Sequence, residues 1–433
     1  MNRLARMEGS ARILALVKFA NVGLVLIWGF AVTFVFVRAL PIAEFQSFLL
    51  LVAFGNFTIS AEFGLTSIIY ARLRQHWLGS GEAAADGGFR LEEMGVLFLF
   101  LGLLVAGATL ILLGALAFGG LATDMPLLFL LFFLSACLNL PALLAKRALA
   151  AVDGNFLWEA LDCGRRVVTI GLLLAILSGL DPRLSVALQL CVSLCVIGYA
   201  IGHVHRRLEM HRRHWLAFRV GGGHVRAHYL RDIGASAAFT LSDIIAYNAP
   251  YFTIAAATAD PRPMLIFDFF FKMSRSLSML VRAMVEAALP RITRAYHAGE
   301  KDRFRQLLAR ALGAAMIFAI GLAGVLLLFG DRLFAILFDR RAAIDRADIG
   351  LIILALAALT ILCVSVYVQA ALGRFGPLLA RSLPFLVGAL ASAPLALLLW
   401  PERFDLAFLA LYALTLIGVA ALHLLSLRRL MRA

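Results

Sequence analysis

Runs of about 20 apolar residues, the length that crosses the hydrocarbon core of a bilayer, recur from one end of the chain to the other. Twelve are set apart by short polar or Gly/Pro-bearing breaks, at approximately 13–37, 45–70, 94–117, 126–146, 158–179, 184–203, 234–257, 263–289, 311–330, 349–371, 382–400 and 406–426. The pattern predicts an all-α integral membrane protein with about 12 transmembrane helices.

The eighth run differs from the rest. Between 263 and 290 it carries Asp268, Lys272, Arg275, Arg282 and Glu286 in an otherwise apolar stretch. At about 100° per residue, all five fall within an arc of roughly 80° on a helix. A charge facing lipid costs several kcal/mol, so one charged stripe on an oily helix is expected to face the bundle interior or a water-filled cavity. Asp268 and Lys272 are spaced i, i+4, as are Arg282 and Glu286, so each pair can neutralise itself along the helix. Arg275 has no such local partner.

Composition excludes a soluble domain of this length: 62% of residues are hydrophobic, 15% are charged, and the mean hydropathy is +0.92. The net charge of +14 raises the question of nucleic acid. The arginines, however, are spread over successive loops with no recognisable binding motif, so no nucleic-acid partner is expected and anionic membrane lipids account for them. With the N-terminus inside, 28 of the 40 Lys and Arg fall on one set of loops, 8 on the other and 4 within the apolar runs. That asymmetry predicts cytoplasmic termini. The count places Lys146, Arg147, Arg165 and Arg166 together at an inner loop. The opening MNRLARMEGSAR resembles the start of a signal peptide. The apolar run after it is too long and lacks a small-residue cleavage site, so it is read as a retained first span.

Residue types that carry chemistry are scattered. Cys137, Cys163, Cys191, Cys195 and Cys363 show no metal-type clustering, and His203, His205, His211, His214 and His224 come without neighbouring Cys or carboxylates in the sequence. No metal or cofactor is expected. GGGHV (221–225) has no strand before it and reads as a flexible linker rather than a phosphate loop. No catalytic triad is visible, which points to a non-enzyme.

The chain also has the pattern of a duplication. SIIYARLRQHWLGSGE (67–82) and AALPRITRAYHAGEKD (287–302) both leave the membrane through paired arginines, then an aromatic or His, then Gly-Glu. RALAAVDGNFLWEAL (147–161) resembles VQAALGRFGPLLARSL (368–383) in the same way. Two six-helix bundles are therefore expected, 1–203 and 234–433, joined by a basic cytoplasmic linker, 204–233, and enclosing a central cavity. The major facilitator class usually carries a Gly-x-x-x-Asp-Arg style motif in its second-to-third loop, and the loop from Ala71 to Glu93 lacks one.

The segment FVRALPIAEFQSFLLLVAFGNFTISAEFGLTSIIYARL (36–73) resembles the opening signature of bacterial polysaccharide flippases of the Wzx type. Arg38, Leu40, Pro41, Glu44 and Phe45 match its first element and Glu62, Phe63, Gly64 and Leu65 its second, although Gln46 stands where the family often has Gly. EAALPRITRAYHAGEKDRFRQLLARAL (286–312) and LLLFGDRLFAILFD (326–339) continue the likeness. The resemblance implies the multidrug/oligosaccharide-lipid/polysaccharide exporter superfamily and a MATE-like bundle. It also implies a lipid-linked oligosaccharide as substrate, with coupling to H⁺ or Na⁺ left open and polysaccharide polymerase or ligase machinery as further partners.

A pyrophosphate headgroup suits a cationic cavity, because Arg and Lys form charge-assisted hydrogen bonds to phosphate where water is scarce. Arg275 is the first candidate for that contact, followed by Lys272, Arg282 and Lys18, with Asn21 beside Lys18. Asp243, Glu62, Asp268 and Glu286 are candidates for ion coupling or for salt bridges. Interhelical glue competes with substrate contact at Lys272 and Arg275, and Arg282 with Glu286 fits a snorkelling pair. Two further functions compete with the flippase: an ion-coupled exporter of drugs or small molecules, and a membrane glycosyltransferase or polymerase. The last requires a large outer loop, whereas the longest, 331–348, is short and reads as an interfacial amphipathic helix.

Overall fold

The computed structural model describes residues 11–60, 65–77, 89–228, 230–372 and 374–432, in which every regular element is a helix and no strand occurs. They divide into two compact units between Ala237 and Ala238.

In the first unit the helices are α1 (Ala11–Ala39), α2 (Ile42–Ser60), α3 (Leu65–Trp77), α4 (Glu92–Ala117), α5 (Pro126–Cys137), α6 (Asn139–Ala151), α7 (Asn155–Leu177), α8 (Pro182–Arg207), α9 (Arg212–Leu216) and α10 (Phe218–His228). Several ends follow directly from sequence. Pro126 and Pro182 occupy first-turn positions, where their missing N–H costs nothing, and Asp181 caps α8 by accepting from the Arg183 and Leu184 amides. Helix α1 packs along α7, α7 on α8, α5 and α6 on α8, and α3 on α6. Phe36, Phe48, Phe129 and Phe132 interlock at the core, with the Phe36 and Phe48 ring centroids 4.4 Å apart. Glu44, one of the resemblance residues, is buried and accepts a 2.6 Å bond from the Thr123 hydroxyl, which fixes the connection into α5.

Helix α11 (Leu230–Ala257) crosses the boundary, and the second unit holds its larger part together with α12 (Pro261–His297), α13 (Lys301–Leu337), α14 (Arg346–Ala371), α15 (Phe375–Leu399), a 3₁₀ turn (Pro401–Arg403) and α16 (Phe404–Arg432). Helix α14 packs on α12, α13 and α16, and α15 packs on α16. Phe267, Phe270, Tyr251, Phe408 and Tyr412 form its aromatic core.

Among the described residues, nine helical segments are long and apolar enough to cross a membrane. Besides the shorter α3, α9 and α10, helices α7, α11 and α12 fall outside that set. Two of them, α7 and α12, carry several charges along their length, and these are the helices where polar chemistry concentrates.

Three expectations are corrected. GGGHV is not a flexible linker: it lies inside α10, which packs with α9 against α4. A Cβ at Gly221 would lie 2.6 Å from the Glu92 carbonyl oxygen, and one at Gly95 would overlap the Trp215 carbonyl, so glycine at both positions allows the close approach that makes this segment helical. His224 does have a carboxylate neighbour, the fully buried Glu93. The segment 331–348 is not an interfacial helix: α13 continues through it to Leu337, the chain turns through Asp339 and Arg340 at positive φ, and α14 begins at Arg346.

Candidate functional site

The charged stripe lies on α12, which Asp260 caps by accepting from the Arg262 amide. Asp268 is buried, and its carboxylate accepts from Lys272 Nζ at 2.8 and 2.6 Å and from the Tyr251 hydroxyl at 2.7 Å. A carboxylate of this kind is kept charged in the interior by a cation and a phenol together. Lys272 is thereby neutralised. One turn beyond the middle of the helix, Arg282 donates to Glu286 at 2.7 Å, and its guanidinium lies 5.7 Å from the Tyr367 ring centroid.

Arg275 lies between these two pairs and is exposed in its unit. Its guanidinium lies 5.4 Å from the Phe271 ring centroid, and among the described residues no carboxylate comes within ion-pair distance. Asp243 on α11 acts on it electrostatically from farther away. Nearby, Ser278 and Cys363 share a hydrogen bond of 3.4 Å. The stripe therefore resolves into two closed pairs and one cation without an ion-pair partner. Lys18 is exposed on α1 in the other unit, and Glu62 lies outside the described residues.

Sequence reasoning missed a second polar cluster, in the first unit. Arg165 and Arg166, assigned above to an inner loop, lie within α7, where Arg165 is buried. Arg165 donates to Asp162 Oδ1 through Nε at 3.0 Å and Nη2 at 2.6 Å, and Arg166 Nε donates to Asp162 Oδ2 at 3.0 Å. From α1, Asn21 Nδ2 donates to Glu159 at 2.7 Å and to Asp162 at 3.0 Å, while its Oδ1 accepts from Arg166 Nε at 3.0 Å. Lys146 on α6 pairs with Glu159 at 3.3 Å. The signal was present in the sequence: Glu159, Asp162, Arg165 and Arg166 all fall inside the apolar run 158–179, where charges should be read as functional before they are read as loop. Among the described residues no group of three or more metal-ligating side chains is assembled.

Comparison with known proteins places the fold. No protein-family model and no curated protein sequence matches the chain. Among solved structures, it is similar to a multidrug resistance MATE family transporter of the MOP superfamily in an inward-facing conformation, at 13% identity and a TM-score of 0.66, covering 94% of each chain. It is similar to a MOP superfamily transporter from Pyrococcus furiosus, described by a reversed polarity of its binding pocket that suggests a different function, at 12% identity and a TM-score of 0.60 over 97% of this chain and 95% of that one. It is also similar to the Vibrio cholerae MATE transporter VcmN, in a mutant form, at 16% identity and a TM-score of 0.58 over 97% and 96%. The chain thus has the all-helical fold of MATE transporters.

Proposed function

We propose that this chain is an alternating-access flippase of a bacterial inner membrane, with both termini cytoplasmic. Its cargo is a polyprenyl-pyrophosphate-linked oligosaccharide, moved from the cytoplasmic to the periplasmic leaflet during surface polysaccharide biosynthesis. The observation that carries the reading is Arg275: an exposed guanidinium on a membrane-length helix, flanked by two closed ion pairs and itself without a carboxylate partner among the described residues. A cation without an ion-pair partner on an otherwise apolar helix favours an anionic cargo, and a pyrophosphate is a strong acceptor for it. The order of the motifs at 36–73 and 286–312 supports the same substrate class.

A second reading, an ion-coupled multidrug exporter, is favoured by the names of the MATE structures sharing the fold. It predicts an acidic rather than a cationic working surface. Complementation of a bacterial strain lacking its O-antigen or exopolysaccharide flippase separates the two, with wild type, Arg275→Ala and Arg275→Lys compared at matched membrane levels. Export restored by wild type and Arg275→Lys but lost with Arg275→Ala supports the flippase. Equal export by all three removes Arg275 from the site. Drug resistance without restored export transfers the function to the second reading.

A further inference from the structure

Helix α4 presents apolar side chains outward along most of its length. Beyond Leu101 only Leu112 is buried, and Leu103, Leu110 and Ile111 are exposed, as expected of a span that faces lipid. Its first two turns, where the span enters the hydrocarbon, fix the depth of α9. The Trp215 backbone lies against Gly95, and the Trp215 ring centroid is 5.3 Å from that of Phe98. With a rise of about 1.5 Å per residue, Gly95 and Phe98 are about 5 and 9 Å from the start of α4, the level at which tryptophan gathers in membrane proteins. The Trp215 indole also has its polar partner, donating to His205 Nδ1 at 3.1 Å.

The surface around this contact is both apolar and basic. Leu216, Phe218 and Val220 are 70%, 39% and 52% exposed. One such side chain in water is ordinary, but three within five residues form a patch that calls for an apolar partner. Arg212, Arg213, Arg219 and Arg226 are exposed in the same segment, and 206–226 holds six arginines against one carboxylate, Glu209. The inner face of α10 is already occupied, with Gly221 and His224 buried against α4 and His224 paired to Glu93. Solvated arginines need no counter-ion of their own. It is the apolar side chains among them, held at the depth where α4 enters the membrane, that identify the partner: a bilayer lies at that level, and a soluble peptide or nucleic acid does not.

We infer that α9 and the start of α10 form an interfacial anchor selective for anionic phospholipid. Leu216, Phe218 and Val220 enter the edge of the hydrocarbon, and Arg212, Arg213 and Arg219 bind headgroup phosphates. This partner is independent of the cargo proposed above.

The test uses the full chain carrying Leu216→Trp, in phosphatidylcholine vesicles into which brominated phosphatidylcholine or brominated phosphatidylglycerol is mixed at equal fraction. Bromine quenches tryptophan on contact, so the fluorescence that the variant gains over wild type reports the lipid beside position 216. Both lipids are expected to quench it, with phosphatidylglycerol associating at least about fivefold more strongly, the weight of one arginine near a charged surface. Combining Arg212→Gln, Arg213→Gln and Arg219→Gln, all at exposed positions, should bring the two lipids to parity, and high salt should do so in part. Added fluorescence that neither lipid quenches places the segment in water, leaves it to a soluble partner and overturns the inference. Equal quenching by the two lipids with every arginine present overturns it as well, as does a phosphatidylglycerol preference that survives loss of the three arginines.

Discussion

Asp162 and Arg165, one turn apart on α7, are joined by two hydrogen bonds to a single carboxylate oxygen, with only 5% and 9% of their side chains exposed. A pair so placed is expensive to break from one side, because the survivor is a buried charge without its counter-ion.

Replacing Asp162 with Asn is therefore expected to lower stability by about 3–5 kcal/mol. Asn21→Ala removes an uncharged donor's hydrogen bonds to the Asp162 and Glu159 carboxylates and should cost about 1.5–3 kcal/mol. Thermal unfolding of the purified protein in detergent measures both. The order is the test: a larger loss for Asn21→Ala would mean that the cluster is held by its amide and not by its charges.

The Asp268 triad gives a graded series. Tyr251→Phe deletes one bond to the carboxylate and should cost about 1.5–3 kcal/mol, whereas Lys272→Met strands the charge and should cost more. Adding Asp268→Asn to Lys272→Met should recover part of the loss. A double variant no better than Lys272→Met alone would rule out an uncompensated carboxylate as the source of the damage.

At the α4–α9 contact, Gly95→Ala places a methyl group against the Trp215 backbone, which cannot rotate away. Overpacking of this kind costs about 1–3 kcal/mol. It should also loosen α9 and α10, exposing the arginine-rich segment 206–226 to trypsin at concentrations that leave wild type intact. Identical digestion patterns would show that α9 is held elsewhere.

Asp153 connects α6 to α7 outside the apolar segments. Its own partial burial pushes the carboxyl upward, but the hydrogen bonds from Trp77 and Arg74 and the Arg74 charge outweigh that, so the group titrates below its ordinary value. A depressed carboxylate contributes stability that is fully present above the unfolded-state value and is lost as pH falls through the folded one. Because the side chain is about half exposed, the contribution at neutral pH is screened and should stay below about 1 kcal/mol. Asp153→Asn, which still tolerates the positive φ of this position, should lose that increment at pH 7 and converge with wild type in acid. A constant gap at every pH would assign the effect to the hydrogen bonds alone.

What could be read from the chain depended on how local the signal was. Apolar runs located the helices, because membrane-length hydrophobicity is a property of one segment at a time. The Asp268–Lys272 and Arg282–Glu286 pairs were visible because they span a single turn. Asn21 and Glu159 meet across 138 positions, and no spacing rule joins them. Helix α10 was misread for a different reason. Three consecutive glycines discourage a helix in isolation, yet here glycine lets α10 lie close to α4, and packing overrides propensity.

The way Asp268, Lys272 and Tyr251 close on one another also constrains how the sequence can drift. Neither Asp268 nor Lys272 can be exchanged singly without leaving the other's charge unpaired, and exchanging Tyr251 removes a bond from that carboxylate, so a lineage is pressed to change them together or keep them. Arg275, a few residues along the same helix, has no ion-pair partner to abandon among the described residues, and Asp243 acts on it from beyond ion-pair distance. If related chains came to carry different cargo, Arg275 is the stripe position that could change first, while the triad beside it would be inherited as a block.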